Sequence, residues 1–325
     1  MPSPPGAASV VRYARGGPKE VKVERNVAMN GATVETREPL ATHDVRGGGG
    51  LRLHVREWGN PDGPAILFIH GWSQSHLCWA RQLESPLARD FQLVTMDNRG
   101  HGMSERPVQP EHYVDAQLWA DDVAAVIEQV DLERPVLVAW SYGGFIVSDY
   151  VRAYGTAEIA GVNLVGGAVM LKPTFDHLGP GLLENAMDAC AADLLTQINA
   201  IRRFLRACTS QPLDEDDWST ALSWNMVVPA EVRGALISRE IDADDVLASL
   251  SVPVLVTHGS ADAIVLPSMA EHVLEVCRTA EPSWYEGIGH MPFWESFERF
   301  NSELGQFVAE CSEDGRLAPD APDLA

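Results

Sequence analysis

A serine lies at the point where a buried strand is expected to turn directly into a helix. Residues 135–139 are apolar, and the sequence Trp-Ser-Tyr-Gly-Gly follows at residues 140–144. So sharp a turn leaves room only for small residues around the serine, and it lifts the Ser141 Oγ out of the sheet. It also leaves the amide N–H of Tyr142 free to bind a developing oxyanion. The pattern predicts a strand-turn-helix unit with Ser141 as a candidate nucleophile.

This turn departs in one position from the usual pattern for such an elbow, Gly-x-Ser-x-Gly. Ala139 stands in place of the first glycine, and alanine is the smallest side chain that could still clear the helix behind it. Alternatively, Ser141 could be a buried hydroxyl that the backbone satisfies. The presence of Gly143 and Gly144 in a turn from strand to helix favours the nucleophile.

Two further candidates follow strand-like sequence nearer the C-terminus. Asp262 comes after the β-branched run at 252–257, and His290 comes after a short strand candidate at 282–285. His290 would accept the Ser141 proton and return it to the leaving group, while Asp262 would hold the imidazole tautomer. The chain order Ser, Asp, His differs from the orders in chymotrypsin-type and subtilisin-type enzymes. Asp262 could instead be a turn residue, and His290 could be structural.

Four motifs spread over most of the chain carry a resemblance to a known superfamily. They are Ile-His-Gly-Trp at 69–72, Asp-Asn-Arg-Gly-His-Gly at 97–102, the elbow at Ser141, and Gly-His at 289–290. With them the chain resembles the α/β-hydrolase superfamily, in which the triad has the order Ser, Asp, His. The His-Gly-Trp turn and the segments around Trp79 and Met96 most resemble the cofactor-free haloperoxidase and esterase branch.

The resemblance implies roles for several more residues. An oxyanion donor is expected just after the His-Gly turn, which makes the backbone N–H of Trp72 the partner of the Tyr142 N–H. His70 would shape this loop rather than transfer a proton. The residues at 97–102 would be mostly architectural and would tie down the loop after the fourth strand.

The fold expected is α/β: a mostly parallel eight-stranded α/β-hydrolase sheet with helices on both faces and an inserted helical cap. Apolar runs typical of parallel strands occur at residues 65–69, 92–96, 136–139, 161–165 and 252–257. Residues 113–130 and 143–154 have the spacing of helices. Four glycines after Arg46 indicate a hairpin between antiparallel strands at 38–45 and 51–58.

Length and composition favour one catalytic unit with an insertion, because 325 residues with 46% hydrophobic content can bury a large core. Residues 33–170 and 246–312 are predicted to form the α/β-hydrolase core. In 171–245 the strand pattern gives way to amphipathic helical sequence, which predicts a helical cap. Residues 1–32 are predicted to be a flexible N-terminal extension, and residues 313–325 a flexible tail.

Bulky side chains near the nucleophile or within the predicted cap are candidates for the substrate pocket. They are Trp140, Phe204, Trp218, Trp224 and Met291. The alternative for the cap aromatics is that they only join cap to core. The alternative for Trp140 is aromatic packing within the core, because a side chain just before the nucleophile can point sideways into the sheet.

Composition narrows the possible locations and partners. No segment is long and apolar enough to span a membrane, residues 1–17 lack the apolar run of a secretory signal, and the five cysteines show no paired spacing. We therefore expect a reducing, cytoplasmic location. Neither metal-ligand spacing nor a phosphate-binding glycine loop is present, so neither metal nor cofactor is expected. A formal charge of −22 argues against nucleic acid and favours a small neutral or apolar substrate. The sequence leaves the oligomeric state open.

Together these features predict a serine hydrolase that cleaves a carboxylic ester or lactone through an acyl-enzyme intermediate. A carbon–carbon bond hydrolase and a perhydrolase with haloperoxidase-like activity would use the same triad and remain alternatives. Haloalkane dehalogenases and epoxide hydrolases share the expected fold but carry aspartate at the elbow, where this chain has Ser141. An alternative from another class is a non-catalytic small-molecule receptor, for which an incomplete triad would be typical.

Overall fold

The computed structural model describes residues 38–171 and 177–317, together with the short strands Ala28–Met29 and Ala32–Thr33. Apart from the residues of these two short strands, the predicted N-terminal extension at 1–32 lies outside the described residues. Residues 318–325, the end of the predicted tail, also lie outside them. The two short strands pair antiparallel within a unit of their own, residues 1–37. The second unit begins at Glu38.

Eight strands form the central sheet of the second unit. They are β1 Ala41–Arg46, β2 Arg52–Gly59, β3 Ala65–Ile69, β4 Gln92–Met96, β5 Val136–Trp140, β6 Gly161–Val165, β7 Val254–Gly259 and β8 Ala280–Tyr285. Their order across the sheet is β8-β7-β6-β5-β3-β4-β2-β1. Strand β2 runs antiparallel to both of its neighbours, and the other neighbouring pairs are parallel. The mostly parallel eight-stranded sheet is confirmed.

Central strands of this sheet are apolar because both of their faces are covered. Every residue of β3, β4, β5 and β6 is buried, and strands buried on both faces have continuous rather than alternating apolar sequence. Since β5, β7 and β8 are parallel, their carboxyl ends lie at one edge of the sheet. The loops that follow them therefore meet there, where α/β proteins place their ligand sites.

Helices connect the strands in the following order. They are α1 Ala80–Leu83, α2 Leu87–Asp90, α3 Glu111–Val114, α4 Ala116–Gln129, α5 Gly143–Tyr154, α6 Pro180–Leu183, α7 Ala186–Ala189, α8 Leu194–Ala207, α9 Glu215–Val227, α10 Ala230–Ile237, α11 Asp244–Ser249, α12 Pro267–Val276, α13 Pro292–Glu295 and α14 Phe297–Leu317. Aspartates begin three of the longer helices, because the side chains of Asp115, Asp193 and Asp214 accept hydrogen bonds from amides of the first turn.

The predicted N-terminal hairpin is confirmed by the antiparallel pairing of β1 with β2. Its connection contains the short 3-10 turn Gly48–Gly50. The Gly48 amide donates to Asp122 Oδ1 of α4 (2.9 Å), and the Arg99 guanidinium donates to the Gly48 carbonyl oxygen (2.9 Å). Arg99 and Asp122 are themselves a buried ion pair, with Nε and Oδ2 2.7 Å apart. The hairpin is thus attached to the helix layer by a buried charged pair.

Between β6 and β7 the chain is mostly helical, and we call α6–α10, residues 180–237, the helical insertion. Met170–Leu171 pairs antiparallel with Ile241–Asp242, so the chain leaves and re-enters the core at neighbouring positions. The insertion lies within the region predicted as a cap, 171–245.

Helix α14 runs to Leu317 and so continues beyond residue 312, where the core was predicted to end. Within the part of the chain that the structure describes, no helix combines the length and the apolar character that a bilayer span requires.

Candidate active site

Ser141 occupies a strained turn between β5 and α5. Its φ of 56° lies in the left-handed region that non-glycine residues rarely adopt. The Ser141 amide donates to the Val165 carbonyl oxygen at the end of β6 (3.1 Å), and the Ser141 carbonyl oxygen accepts from the amides of Gly144 and Ala168 (both 2.9 Å). These bonds hold the serine in the conformation that an exposed elbow nucleophile requires.

Close backbone approach explains the small residues around the serine. A Cβ on Gly143 would lie 2.7 Å from the Ile69 carbonyl oxygen, and a Cβ on Gly71 would lie 2.9 Å from Ser141 Cβ. Ala139 Cβ would lie 3.5 Å from a Cβ at Gly143, which is ordinary contact. Alanine is therefore tolerated where the usual elbow pattern has its first glycine.

Asp262 and His290 form a buried, hydrogen-bonded pair at the edge of the sheet where Ser141 lies. His290 Nδ1 lies 2.7 Å from Asp262 Oδ2, and both side chains are about fully buried. Asp262 Oδ1 accepts from the amides of Ile264 (2.8 Å) and Val265 (3.0 Å). The carboxylate is thus fixed by the backbone. Because the ionised carboxylate can only accept, the contact places the proton of neutral His290 on Nδ1 and leaves Nε2 as the base.

The remaining link of the predicted triad is open. His290 Nε2 is buried and has no hydrogen-bond partner among the described residues, so its bond to Ser141 Oγ is not formed. Catalytic hydrogen bonds are often long in the free enzyme and tighten when substrate binds. The backbone of His290 is held on both sides, since its amide donates to the Cys208 carbonyl oxygen (2.8 Å) and its carbonyl oxygen accepts from Trp140 Nε1 (2.9 Å). Closing the triad therefore depends on the Ser141 side chain or the substrate.

Both predicted oxyanion donors are available. The backbone amides of Trp72 and Tyr142 make no hydrogen bond within the described part of the chain, and both residues line the cavity beside Ser141. Unpaired amides at a buried site are uncommon, because an unmet donor costs free energy. Two such amides next to one serine are what an oxyanion hole requires.

Neutral histidines support the loop that carries Trp72. The Ser73 amide donates to His101 Nε2 (3.1 Å), and the Asn98 amide donates to His70 Nε2 (3.0 Å). Burial lowers the pKa of His70 to about 4 and that of His101 to about 3. Both imidazoles are therefore uncharged at neutral pH and can accept these amide protons. The predicted shaping role of His70 agrees with these contacts.

A narrow cavity of about 40 Å³ lies beside Ser141. Phe204 of the helical insertion reaches it and packs edge-on against Trp72, with ring centroids 5.3 Å apart. The other lining residues, none of them singled out by the sequence, are Phe145, Ala168, Leu171, Leu178, Leu182, Ile237, Ile264 and Val265. Among the residues that the structure describes, no charged side chain lines the cavity.

Four of the predicted pocket residues do not line this cavity. Trp140 is buried against Phe293 and Trp79 and packs beside the His290 ring. Trp224 donates from Nε1 to Gln74 Oε1 (2.8 Å).

Trp218 packs under the Arg206 guanidinium, 5.0 Å away, and Met291 is buried in the core. Of the five candidates, Phe204 alone contributes to the lining. A bulky apolar residue has the same local sequence pattern whether its side chain faces a cavity or packs in the core, which explains the difference.

Three potential metal ligands lie together elsewhere, although no ligand spacing marks them in the sequence. Atoms of His54, His76 and Asp97 lie within 4.8 Å of one another. Asp97 Oδ1 accepts from the amide (2.8 Å) and Nδ1 (2.9 Å) of His76, and its Oδ2 accepts from the Met103 amide (2.8 Å). His54 Nε2 accepts from Arg56 Nε (3.1 Å). A bound cation would displace these bonds and lie beside a guanidinium, so the contacts are better explained as a structural network.

A sequence profile of the family described as alpha/beta hydrolase fold matches residues 64–297. The chain belongs to this family. The match begins before β3 and ends after β8, so it contains the elbow, Asp262 and His290. The resemblance predicted from the four motifs is confirmed.

Individual relatives define the branch of the family. The chain is 27% identical to a non-heme haloperoxidase of Rhodococcus erythropolis over 271 residues, or 80% of this chain and 96% of that protein. It is 29% identical to the bifunctional esterase/perhydrolase DCH of Acinetobacter calcoaceticus over 276 residues, or 80% and 96%. The crystal structure of the esterase RhEst1 from Rhodococcus sp. ECU1013 matches with a TM-score of 0.79 at 32% identity and covers 83% of this chain and 99% of that one. The chain thus falls in the haloperoxidase and esterase branch of the family.

Proposed function

We propose that this alpha/beta hydrolase fold protein is a serine hydrolase that cleaves small carboxylic esters or lactones, with Ser141, His290 and Asp262 as its triad. The observation that carries the proposal is the buried Asp262–His290 pair, at 2.7 Å, at the same sheet edge as a strained serine and two unpaired amides. A receptor has no need of unpaired donors or of a base with a fixed tautomer. The esterase names of its relatives add support.

The proposed reaction begins when Ser141 Oγ attacks the ester carbonyl carbon and its proton passes to His290 Nε2. The resulting oxyanion accepts hydrogen bonds from the amides of Trp72 and Tyr142. Collapse breaks the bond between the carbonyl carbon and the leaving oxygen, which takes the proton from His290. Water then attacks the acyl-enzyme, again with His290 as base, and releases the acid. Asp262 stabilises the transient imidazolium.

We also propose that the helical insertion acts as the cap and sets the substrate class. Leu182, Phe204 and Ile237 bring apolar surface from it to the cavity beside Ser141. A narrow cavity whose described lining is uncharged favours short, apolar acyl groups over charged ones. The formal charge of −22 acts in the same direction, since it repels anionic substrates at long range.

Perhydrolysis is the second candidate, favoured by the name of the Acinetobacter relative. Hydrogen peroxide would replace water as the attacking group on the acyl-enzyme. The bond to Ser141 Oγ would break, a peracid would leave, and His290 would shuttle the proton. Both reactions share the first half, so the same enzyme could perform them at ratios set by access of peroxide to the acyl-enzyme.

We propose a cytoplasmic location because four of the cysteines that the structure describes are not joined in disulfides. Cys78, Cys190, Cys208 and Cys277 are free thiols in the structure, and three of these four are buried. Free cysteines are typical of reducing compartments.

A fluorophosphonate probe and a series of p-nitrophenyl esters of increasing acyl length test the proposal, with hydrogen peroxide present or absent. We expect covalent labelling of the wild type, none of Ser141→Ala, and the highest turnover on the shortest acyl groups. Labelling that persists in Ser141→Ala would refute the assigned nucleophile. Formation of peracid in place of acid would move perhydrolysis to first place.

A further inference from the structure

A positive charge is buried beside the proposed oxyanion hole. Arg233 of α10 has no solvent exposure, and no carboxylate of the described residues forms an ion pair with it. Burial lowers its pKa to about 10. The guanidinium therefore remains charged at neutral pH.

Neutral groups accept the hydrogen bonds of this guanidinium. The acceptors are Ser73 Oγ from Nε (3.0 Å), the Ala189 carbonyl oxygen (2.9 Å) and Gln197 Oε1 (3.3 Å) from Nη1, and the Asn225 carbonyl oxygen (2.7 Å) from Nη2. Burying an unpaired charge is costly even when it is hydrogen-bonded. Apolar replacements of buried charged groups are often neutral or stabilising. Stability alone therefore does not explain an arginine at this position.

Two contacts connect Arg233 to the loop that carries the Trp72 amide. Its carbonyl oxygen accepts from the Trp72 indole N–H (3.2 Å), and its Nε donates to Ser73 Oγ. Ser73 has a φ of 62°, a strained conformation that needs support from its surroundings. The Ser73 amide is held in turn by the neutral His101. Arg233 thus supports both Trp72, whose amide is a proposed oxyanion donor, and the adjacent Ser73.

We propose that Arg233 is a positioning residue of the oxyanion hole: it holds the Trp72–Ser73 turn, and its charge favours the anionic tetrahedral state over the neutral ester. This inference rests on the proposed function. A positive charge placed in a dry site stabilises an anion that forms there without having to reorganise. The loss of this charge should slow acylation while leaving the binding of a neutral ester nearly unchanged.

An aryl trifluoromethyl ketone provides a readout that a purely structural role would not move. Ser141 would add to the ketone carbonyl to form a hemiketal, whose hydroxyl ionises in the oxyanion hole. Fluorine NMR across a pH series gives the hemiketal pKa. For Arg233→Met we expect this pKa to rise by about one unit and kcat on p-nitrophenyl acetate to fall about tenfold, with KM nearly unchanged.

Two further variants keep the inference testable if Arg233→Met does not fold. Arg233→Lys retains the charge and Arg233→Gln removes it, so the hemiketal pKa should be higher in the glutamine variant by about one unit. Arg203→Met serves as the matched control, because Arg203 lies in the same insertion and contacts Asn185 and Asp188 instead. It should leave the hemiketal pKa and kcat as they are in the wild type.

The outcomes separate this inference from the function on which it rests. A wild type that forms no hemiketal and hydrolyses no ester overturns both. A wild type that forms the hemiketal, with the same pKa in the methionine variant or in both the lysine and glutamine variants, overturns the role of Arg233 alone.

Discussion

The two walls of the cavity at Ser141 are built by different means. The strand-end wall also has apolar side chains, but its reacting groups are fixed by backbone turns and short hydrogen bonds: the Ala168 and Gly144 amides hold the serine, and two amides hold Asp262. The wall from the helical insertion consists of side chains: an apolar lining and, behind it, the buried Arg233. We therefore expect the strand-end wall to carry out the reaction and the insertion wall to determine which substrates are accepted. Changes in the first wall should abolish turnover, whereas changes in the second should alter its rate or its substrate preference.

The largest effect is expected at the elbow. Ser141→Ala should lower ester turnover by about 10⁴-fold or more, because the nucleophile is lost while the oxyanion hole remains. Ser148→Ala is the matched control, since Ser148 is also buried, lies in the middle of α5 and only donates to the Gly144 carbonyl oxygen (2.8 Å). Steady-state hydrolysis of p-nitrophenyl acetate measures both. Equal losses in the two variants would show that the elbow matters for folding rather than for chemistry.

The second largest effect is expected for Asp262→Asn in the strand-end wall. Its kcat should fall about 10³- to 10⁴-fold, because the amide disfavours the required His290 tautomer. Asp97→Asn is the comparison, since Asp97 is a buried carboxylate that binds a different histidine, His76. It should lower the melting temperature while the folded enzyme keeps most of its turnover. If Asp262→Asn also retained turnover, the triad acid would have to be another residue.

The buried histidines that support the loop carrying Trp72 should make the stability of the protein depend on pH. His70 and His101 have folded pKa values of about 4 and about 3, below the usual 6.5. Below about pH 6.5 the unfolded chain therefore takes up protons that the folded protein excludes, and stability is lost as the pH falls. Each histidine should lower the free energy of unfolding by about 2 kcal/mol between about pH 7 and about pH 5. Urea unfolding of the wild type and His101→Asn checks this.

His101→Asn should be less stable than the wild type at neutral pH but should lose less stability on acidification. The two proteins would then converge as the pH falls. A constant difference between them at all pH values would mean that His101 is not buried as a neutral imidazole.

The smallest expected effect sharpens the description of the insertion. Phe204→Leu should enlarge the cavity beside Trp72 and shift the preference from acetyl toward hexanoyl esters by about fivefold to tenfold. Trp218→Leu is the matched control in the same insertion, because Trp218 packs under Arg206 and does not line the cavity. Ratios of kcat/KM for the two esters measure the shift. A larger shift in the tryptophan variant would place the substrate elsewhere.

Most of the strand-end wall could be predicted from the sequence, because its geometry imposes residue types at fixed spacing. The elbow tolerates only small residues near Ser141, and a Cβ on Gly143 would meet the Ile69 carbonyl oxygen at 2.7 Å. The parallel strands are continuous apolar runs because both faces are buried. Asp262 follows the mostly buried strand β7 and His290 follows the edge strand β8, and the structure brings the two side chains to 2.7 Å.

The insertion wall could not be predicted in the same way. Phe204 lies on the amphipathic helix α8, whereas Trp218 and Trp224 lie on α9, which has no distinct apolar face. In neither helix does the sequence distinguish a side chain that faces the cavity from one that packs in the core. Arg233 lies two residues after Glu231 in α10 and, from the sequence, resembles a solvent-facing helix residue. Its burial depends on Ser73, 160 residues away in the chain. No local signal reports a contact of that kind.

Rapid-quench mass spectrometry during turnover of p-nitrophenyl acetate tests the central claim most directly. The proposed triad predicts a transient protein species heavier by one acetyl group, formed at the rate of the nitrophenol burst, with the modification on the peptide that contains Ser141. Turnover without any acylated intermediate, or with the acetyl group on another residue, would contradict it.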